Sequence, residues 1–419
     1  MCRHPTIGSF LYENEGFPVC VPVRSYARVW LSYDNAAVMR SGRRVVHVYK
    51  GYPPVRGGIE GHVDLLTRLL VARGVAAEVL CVRVPGAAAE EQRDGVRVRR
   101  LIAPLTLAST PLPPALPWAL RRSRAGIVHL HFPWPPAEVA WWLGGRGRPL
   151  VVTVHCEAVR HLHLARWLSP LTQRVLAAAG RIVVTGAFMR DSALLAAHRA
   201  RVRVVPLGVD LDAFRPEPGA PDPLPHVPHP RVVFVGRLRH YKGLPVLAAA
   251  LAQAPQLQLL VVGAGPERTT LESALRAHGC SDRAHLLGAL DDEPLRRILH
   301  TADAAVLAST SAAEAFGVAI AEAQACGLPA VTTDVGTGTA QSVADGVSGR
   351  VVPPHDPAAL AAALLWCCDP VHAPARRAAA RAHAEANLCA RRMAAGIHDI
   401  YRELATDAPR PGDESPRFS

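Results

Sequence analysis

From residue 43 onward the chain alternates between short, almost wholly apolar runs and longer amphipathic ones. Residues 43–50 (RRVVHVYK), 76–82, 96–101, 127–131, 150–154, 181–185 and 202–205 are strand-length and rich in valine and isoleucine, and helix-length segments separate several of them. Residues 59–72 carry apolar positions at helical spacing. Strands that are apolar on both faces, with helices between them, predict a parallel sheet wound on both sides. The series breaks at 208–230, where Pro216, Pro218, Pro221, Pro223, Pro225, Pro228 and Pro230 exclude a regular element, and this stretch reads as a linker. A second series follows, with strands at 232–235, 257–262, 284–287, 304–307, 330–333 and 349–352 and helices near 244–254, 267–277, 293–299 and 316–326. Helical residues at 357–366 and about 375–404 close it.

The pattern predicts an α/β protein of two Rossmann-like, doubly wound parallel-sheet domains facing across a cleft. One domain spans 41–206 and the other 231–385, joined by the linker at 207–230, with a last helix at 386–404. Residues 1–40 show no clear period and read as a disordered or non-native extension, which makes Met39 a candidate start beside Met1. Residues 405–419, rich in proline and charge, read as a disordered tail.

A chain of 419 residues exceeds one comfortable core, in keeping with two domains. Its nine cysteines form no C-x-x-C pair, which predicts reduced thiols in a cytosolic compartment. No run reaches the roughly eighteen apolar residues of a membrane span. Glu13, Glu15 and Pro18 interrupt any secretory h-region. Charge changes the picture more. Residues 1–206 hold 28 Lys+Arg against 12 Asp+Glu, whereas 207–419 hold 19 against 23. The basic half points to an anionic partner, such as a lipid surface or a phosphorylated acceptor. Nucleic acid is not expected, since no helix-turn-helix, zinc-finger or RNP-like pattern accompanies the charge. The competing reading is compositional bias, because 45 of the 47 cations are arginine.

The candidate chemistry sits where strands end. In FVGRLRHYKG, Gly236 follows a strand, and Arg237 and Lys242 lie on the exit loop, a placement suited to a phosphate. VVGAGP, with Gly263, is a strand and a glycine turn that lacks the third glycine of a dinucleotide fingerprint. Glu314 and Glu322 stand eight positions apart, about 12 Å if helical. That is too far for the paired carboxylates of a retaining glycosidase, about 5 Å apart. They read better as two ends of one elongated ligand. Phe316 and Gly317 open a helix whose amides suit a diphosphate, and Glu322 inside it suits ribose hydroxyls. Gly57 and Gly58 pair at another helix start, and His155 ends a strand in cleft position, where a structural hydrogen-bonder is the alternative. Cys156 beside it reads as a small buried hydrophobe. Trp134, Trp141 and Trp142 with Arg121, Arg122 and Arg124 read either as core or as an apolar, basic rim for a lipid-linked acceptor.

Taken together, SAAEAFGVAIAEAQACGLP, FVGRLRHYKG, VVGAGP, GGIE, VVTVH and VVPLGVDLDAF resemble the family-four retaining glycosyltransferases of GT-B fold, from about Val45 to Glu385. The resemblance implies that Arg237 and Lys242 neutralise a donor diphosphate and that Glu322 holds the ribose. It also implies that Glu314 and the amides near Phe316–Gly317 contact sugar and phosphate, that His155 contacts the donor sugar, and that the Gly57-Gly58 loop lies by phosphate and acceptor. The chain departs from the family at GTGTAQ, where Thr337 and Gln341 replace a glycine and a glutamate, which puts the role of that loop in doubt.

The expected reaction is hexose transfer from a UDP- or GDP-sugar to a sugar or lipid-linked acceptor, in cell-envelope polysaccharide or glycolipid synthesis. The expected setting is the cytoplasm, at the inner face of the plasma membrane. With no Asp-x-Asp triad in a plausible site, no metal or other cofactor is expected. Retention, by front-face attack, rests on the resemblance. The rival readings are a nucleotide-sugar 2-epimerase, which needs no acceptor, and a non-catalytic subunit that binds a membrane partner, which needs a damaged donor site.

Overall fold

The computed structural model describes residues 44–107, 110–156 and 162–406, leaving aside the side chains of 162–168. The expectation for residues 1–40 lies outside these residues, as does that for the tail from 407 on, while Ala405 and Thr406, read with the tail, end the last helix instead. The first sheet contains β1 (Val45–Val48), β2 (Ala77–Val82), β3 (Glu90–Arg93) and β4 (Val96–Leu101). After a separate two-stranded ribbon, β5 (Leu105–Leu107) and β6 (Thr110–Leu112), it adds β7 (Ile127–Phe132), β8 (Leu150–Val154), β9 (Arg181–Val184) and β10 (Val202–Val204). Its order is β10-β9-β8-β7-β1-β2-β4-β3, and it is parallel throughout except for β3, which runs antiparallel to β4 at the edge. The second sheet contains β11 (Arg231–Val235), β12 (Gln258–Val262), β13 (Ala284–Gly288), β14 (Ala304–Leu307), β15 (Ala330–Thr333) and β16 (Gly349–Val352), in the order β13-β12-β11-β14-β15-β16.

The strands that the apolar runs predicted are the parallel ones, edge strands β10, β13 and β16 included, and β1, β7, β8 and β14 are buried at each residue. Chain order in the second sheet reverses between β11 and β14, and in the first between β1 and β7. A doubly wound sheet opens a crevice at the carboxyl ends of strands where its order reverses, which is where a ligand finds backbone amides and side chains together.

Each sheet has its own core. A third apolar cluster joins the two halves. It brings together Leu66 and Leu70 of the first helix (Gly58–Ala72), Phe316 and Ala321 from the second half, and Met393, Ile397, Ile400 and Tyr401 of the closing helix (Ala390–Thr406). The helical run read at 375–404 is two helices, Ala373–Asn387 and Ala390–Thr406. Between them Val209 of the proline-rich segment intrudes, its N–H donating to Leu388 O at 2.8 Å and its carbonyl accepting from Ala390 N at 3.1 Å. No single described helix is long and apolar enough to cross a membrane.

Candidate functional site

The turn after β11 is folded tightly against the end of β14. Gly243 has φ 65°, and a Cβ there would stand 1.9 Å from Ala308 O, so only glycine lets the two backbones meet. Tyr241 O also accepts from Thr310 N at 2.8 Å. This contact lays Lys242, at the end of the short turn His240–Lys242, beside Glu314. Both are buried, the ammonium donates to the Glu314 carboxylate, and the Ser309 hydroxyl donates to the same Oε2 at 3.1 Å. Arg237 is exposed and makes no ion pair among the described residues. The 336–341 loop, whose role the sequence left in doubt, braces the backbone that carries Glu314. Thr337 Oγ1 donates to Glu314 O at 2.6 Å, and Gly338 N donates to Ala315 O at 3.0 Å.

Gly236 and Gly263 contribute space. Gly236 N donates to Val262 O at 2.9 Å and Gly263 N to Gly288 O at 2.7 Å, so neither amide faces a ligand. A Cβ on Gly263, at φ 146°, would lie 1.9 Å from Gly236 O. The two strand-end loops touch because position 263 is glycine, whereas a Cβ on Gly236 would come no nearer than 3.6 Å to Lys242 Nζ.

Two helices begin at this crevice, one from each half. Gly317, at φ 82°, is the N-cap of Val318–Ala325, so the helix starts two residues later than the pattern placed it, and Glu314 lies on the loop before it. The Phe316 ring is packed into the third cluster, which leaves its backbone as the part near the crevice. Gly57 is the N-cap of Gly58–Ala72. Neither helix has a capping side chain, and a Cβ on Gly58 would come within 3.9 Å of Val318 Cγ2. Two positive helix ends with first-turn N–H groups free of side-chain caps therefore converge across the crevice. Arg56, just before the first helix, reaches over it to donate to Leu290 O at 2.6 Å and to Asp291 Oδ1 at 2.5 Å. No pattern in the chain signals that contact.

Glu322, one turn into Val318–Ala325, is half-buried and makes no side-chain hydrogen bond among the described residues. Burial pushes its carboxyl up to about 8, and the negative charge of Asp292 adds to the effect. An unpaired carboxyl beside a helix terminus is an acceptor held ready for hydroxyl groups.

His155 is buried, and it does not stand alone. Its Nε2 lies 3.0 Å from His131 Nδ1, and His131 Nε2 lies 3.0 Å from His47 Nδ1. His47 Nε2 is 3.4 Å from the Tyr401 hydroxyl, which is 2.5 Å from His129 Nδ1, and His129 Nε2 is 2.6 Å from Thr153 Oγ1. His62, from the first helix, stands against His155 with ring centroids 4.9 Å apart. Burial lowers all five imidazoles, His47 to about 3 and His62 to about 4, so they are neutral. The sequence reading found only His155. Its missed signal is the spacing of His129 and His131, two apart on one strand and so on one face, in register with His47 on the neighbouring strand.

Trp134 and Trp141 are core residues, which settles most of the rim question against them. A different tryptophan is exposed: Trp118, on the helix Leu116–Arg122, carries the Arg122 guanidinium 3.8 Å above its ring. Leu143, on the neighbouring helix Pro135–Gly144, is exposed as well. The seven cysteines among the described residues form no disulfide.

Residues 56–213 match the family model described as Glycosyltransferase Family 4, and residues 223–379 the one described as Glycosyl transferases group 1. The chain is 34% identical over 331 residues to the D-rhamnosyltransferase WbpZ of Pseudomonas aeruginosa, an alignment that covers 77% of this chain and 86% of that protein. It is 30% identical over 342 residues to O-antigen chain mannosyltransferase C of Escherichia coli, covering 77% and 88%. Among solved structures, sucrose-phosphate synthase from Thermosynechococcus elongatus superposes with a TM-score of 0.74 at 24% identity, over 87% of this chain and 100% of that one. Anabaena HepE in complex with UDP and glucose superposes with a TM-score of 0.71 at 19% identity, over 86% and 100%.

Proposed function

Because the chain belongs to the group 1 and family 4 glycosyltransferases, of GT-B fold, we propose that it moves a hexose from a nucleoside-diphosphate sugar to an acceptor hydroxyl with retention of configuration. The observation that carries this reading is the meeting of two uncapped helix N-termini, one of them just after Glu314, the partner of Lys242. A diphosphate leaving group gathers negative charge as the anomeric bond breaks. A cation about 4 Å away contributes on the order of 4 kcal/mol at an effective dielectric of about 20, before desolvation. Arg237, two sets of helix amides and Lys242, its charge partly offset by Glu314, supply that charge in place, so the reaction needs no divalent ion at the diphosphate.

The remaining roles follow from position. Glu322 accepts hydrogen bonds from the ribose hydroxyls. Glu314, steered by Lys242 and Ser309, faces the transferred sugar, and His155 meets that sugar from the first half. The Gly57-Gly58 turn lies by phosphate and acceptor. The leaving phosphate, rather than a protein nucleophile, takes the acceptor's proton on the same face.

WbpZ and the Escherichia coli mannosyltransferase, by their names, act on D-rhamnose and on O-antigen chains, which supports an acceptor in cell-envelope glycan synthesis. Exposed Trp118 and Leu143 with the stacked Arg122 support contact with an anionic membrane that presents a lipid-linked acceptor, on its cytoplasmic side. The test is a screen of UDP- and GDP-sugars, with and without a lipid-linked acceptor and anionic vesicles. One donor should give an acceptor-dependent glycoside with unchanged anomeric configuration, in the presence of a chelator, with the protein floating with the vesicles. Epimerised donor formed without acceptor would overturn the reading.

A further inference from the structure

Beneath the strand ends of the first sheet, four of the five buried histidines are joined by hydrogen bonds, and His62 is the exception. It is buried, yet neither Nδ1 nor Nε2 meets a hydrogen-bond partner among the described residues. A buried polar group left unpaired carries the full penalty of its lost hydration. Its ring nevertheless stands nearly perpendicular to that of His155, at 74°. One ring nitrogen from each of His62, His131 and His155 lies within 4.8 Å of the other two.

We infer that His62, His131 and His155 form a binding site for a borderline divalent transition-metal ion of the zinc class, with a fourth position left open. Three imidazoles are a donor set that such an ion prefers over magnesium or calcium, which take oxygen. Nitrogens about 2.0–2.1 Å from a tetrahedral ion stand about 3.3 Å from one another. His131 Nδ1 and His155 Nε2, 3.0 Å apart, are already at that spacing, so the remaining approach falls to His62.

Proton bookkeeping favours this trio over the other convergent one, His47, His129 and His131. With the ion on His131 Nδ1, that ring's Nε2–H donates to His47 Nδ1. His47 Nε2–H then donates to the Tyr401 oxygen, the Tyr401 O–H donates to His129 Nδ1, and His129 Nε2–H donates to Thr153 Oγ1. Every ring is neutral and each shared proton has one place. This is the outer shell that ligating histidines use to fix their orientation. His47 and His129 are thereby spent as supports. With its Nε2 on the ion, His155 carries its own proton on Nδ1. The site uses none of the groups assigned to the diphosphate, and shares only His155 with the proposed transfer site.

The experiment takes the full chain, made without a histidine tag in metal-depleted medium and stripped with a chelator, and titrates it with Co²⁺ alone. One equivalent per chain should bind with the visible absorption of four-coordinate cobalt, Zn²⁺ should displace it, and Zn²⁺ should raise the unfolding temperature. His62→Ala and His62→Gln, each checked for native circular dichroism, should lose the absorption and the thermal shift. A wild-type chain that gains no such absorption overturns the proposal, leaving His62 to water. Absorption that survives in both folded variants also overturns it, because the ion is then held elsewhere. Transfer activity is not read, so the outcome is separate from that of the proposed function.

Discussion

At the scale of single residues, the pair between Lys242 and Glu314 separates bracing from chemistry. Both side chains are buried, so removing one charge leaves the other uncompensated, at a cost on the order of 3–5 kcal/mol. Lys242→Ala is expected to lower both the unfolding temperature and the transfer rate. Adding Glu314→Gln should recover much of the unfolding temperature, because no lone buried charge remains. The rate should stay down about a hundredfold or more, because the double variant lacks both a preorganised donor and the carboxylate that faces the sugar. Thermal unfolding and initial rates on the same preparations decide it; a double variant with its rate restored would make the Lys242–Glu314 pair a brace only. Glu322 carries a pH signature. Its carboxyl is neutral in both states well below 4.5, ionises only in the unfolded chain between there and about 8, and ionises in both above. Its contribution to stability therefore declines as pH rises through that window. Glu322→Gln should gain unfolding temperature over wild type progressively across it, and a difference flat in pH would contradict the burial argument. Lys242, Glu314 and Glu322 were legible in the sequence because their surroundings are local, a strand end or a helix start. The histidines around His155 were not, because His62, His131 and His47 reach it from separate elements.

At the scale of elements, the central strands read cleanly because both their faces are buried. The edge strand Glu90–Arg93 (EEQR) did not, since an exposed edge carries no apolar signal. The ribbon Leu105–Leu107 with Thr110–Leu112 shows the opposite failure: its leucines at 105 and 107 are exposed, so apolar residues there mark no core. Start points were blurred where backbone conformation decides them. The helix read from Phe316 begins at Val318 because Gly317 takes the left-handed conformation, and the last helical run divides where Val209, far away in sequence, bonds both ends of the break. The contact of the two strand-end glycine loops is testable at this scale. In Gly263→Ala the new Cβ would meet the Gly236 carbonyl carbon at 2.9 Å as well as its oxygen, and backbone cannot rotate away as a side chain can. The loops must part and the left-handed region adds strain, together on the order of 1–3 kcal/mol or more. Urea unfolding should register that loss, and transfer should fall with it because the Gly236–Lys242 turn moves. Wild-type stability would mean that the loops are not so closely held.

At the scale of the whole molecule, two sheets, a shared apolar cluster and the exposed contact from Arg56 to Asp291 bring the crevice walls together. An exposed ion pair of that kind is worth about 0–1 kcal/mol, so the shared cluster holds the halves and Arg56 only spans the opening. The sequence reading anticipated two doubly wound domains but not the sheet orders that set the crevice between β11 and β14, since strand order is a property of tertiary pairing. The central claim is that this crevice grips a diphosphate. Isothermal titration of the chain with UDP, GDP and the parent nucleosides, repeated on the variant carrying both Lys242→Ala and Glu314→Gln, addresses it most directly. One diphosphate should bind far more tightly than its nucleoside, and that advantage should shrink in the variant, which keeps Arg237 and both helix ends but lacks the ammonium. Equal affinity for nucleoside and diphosphate, or no binding of either diphosphate, would contradict the account.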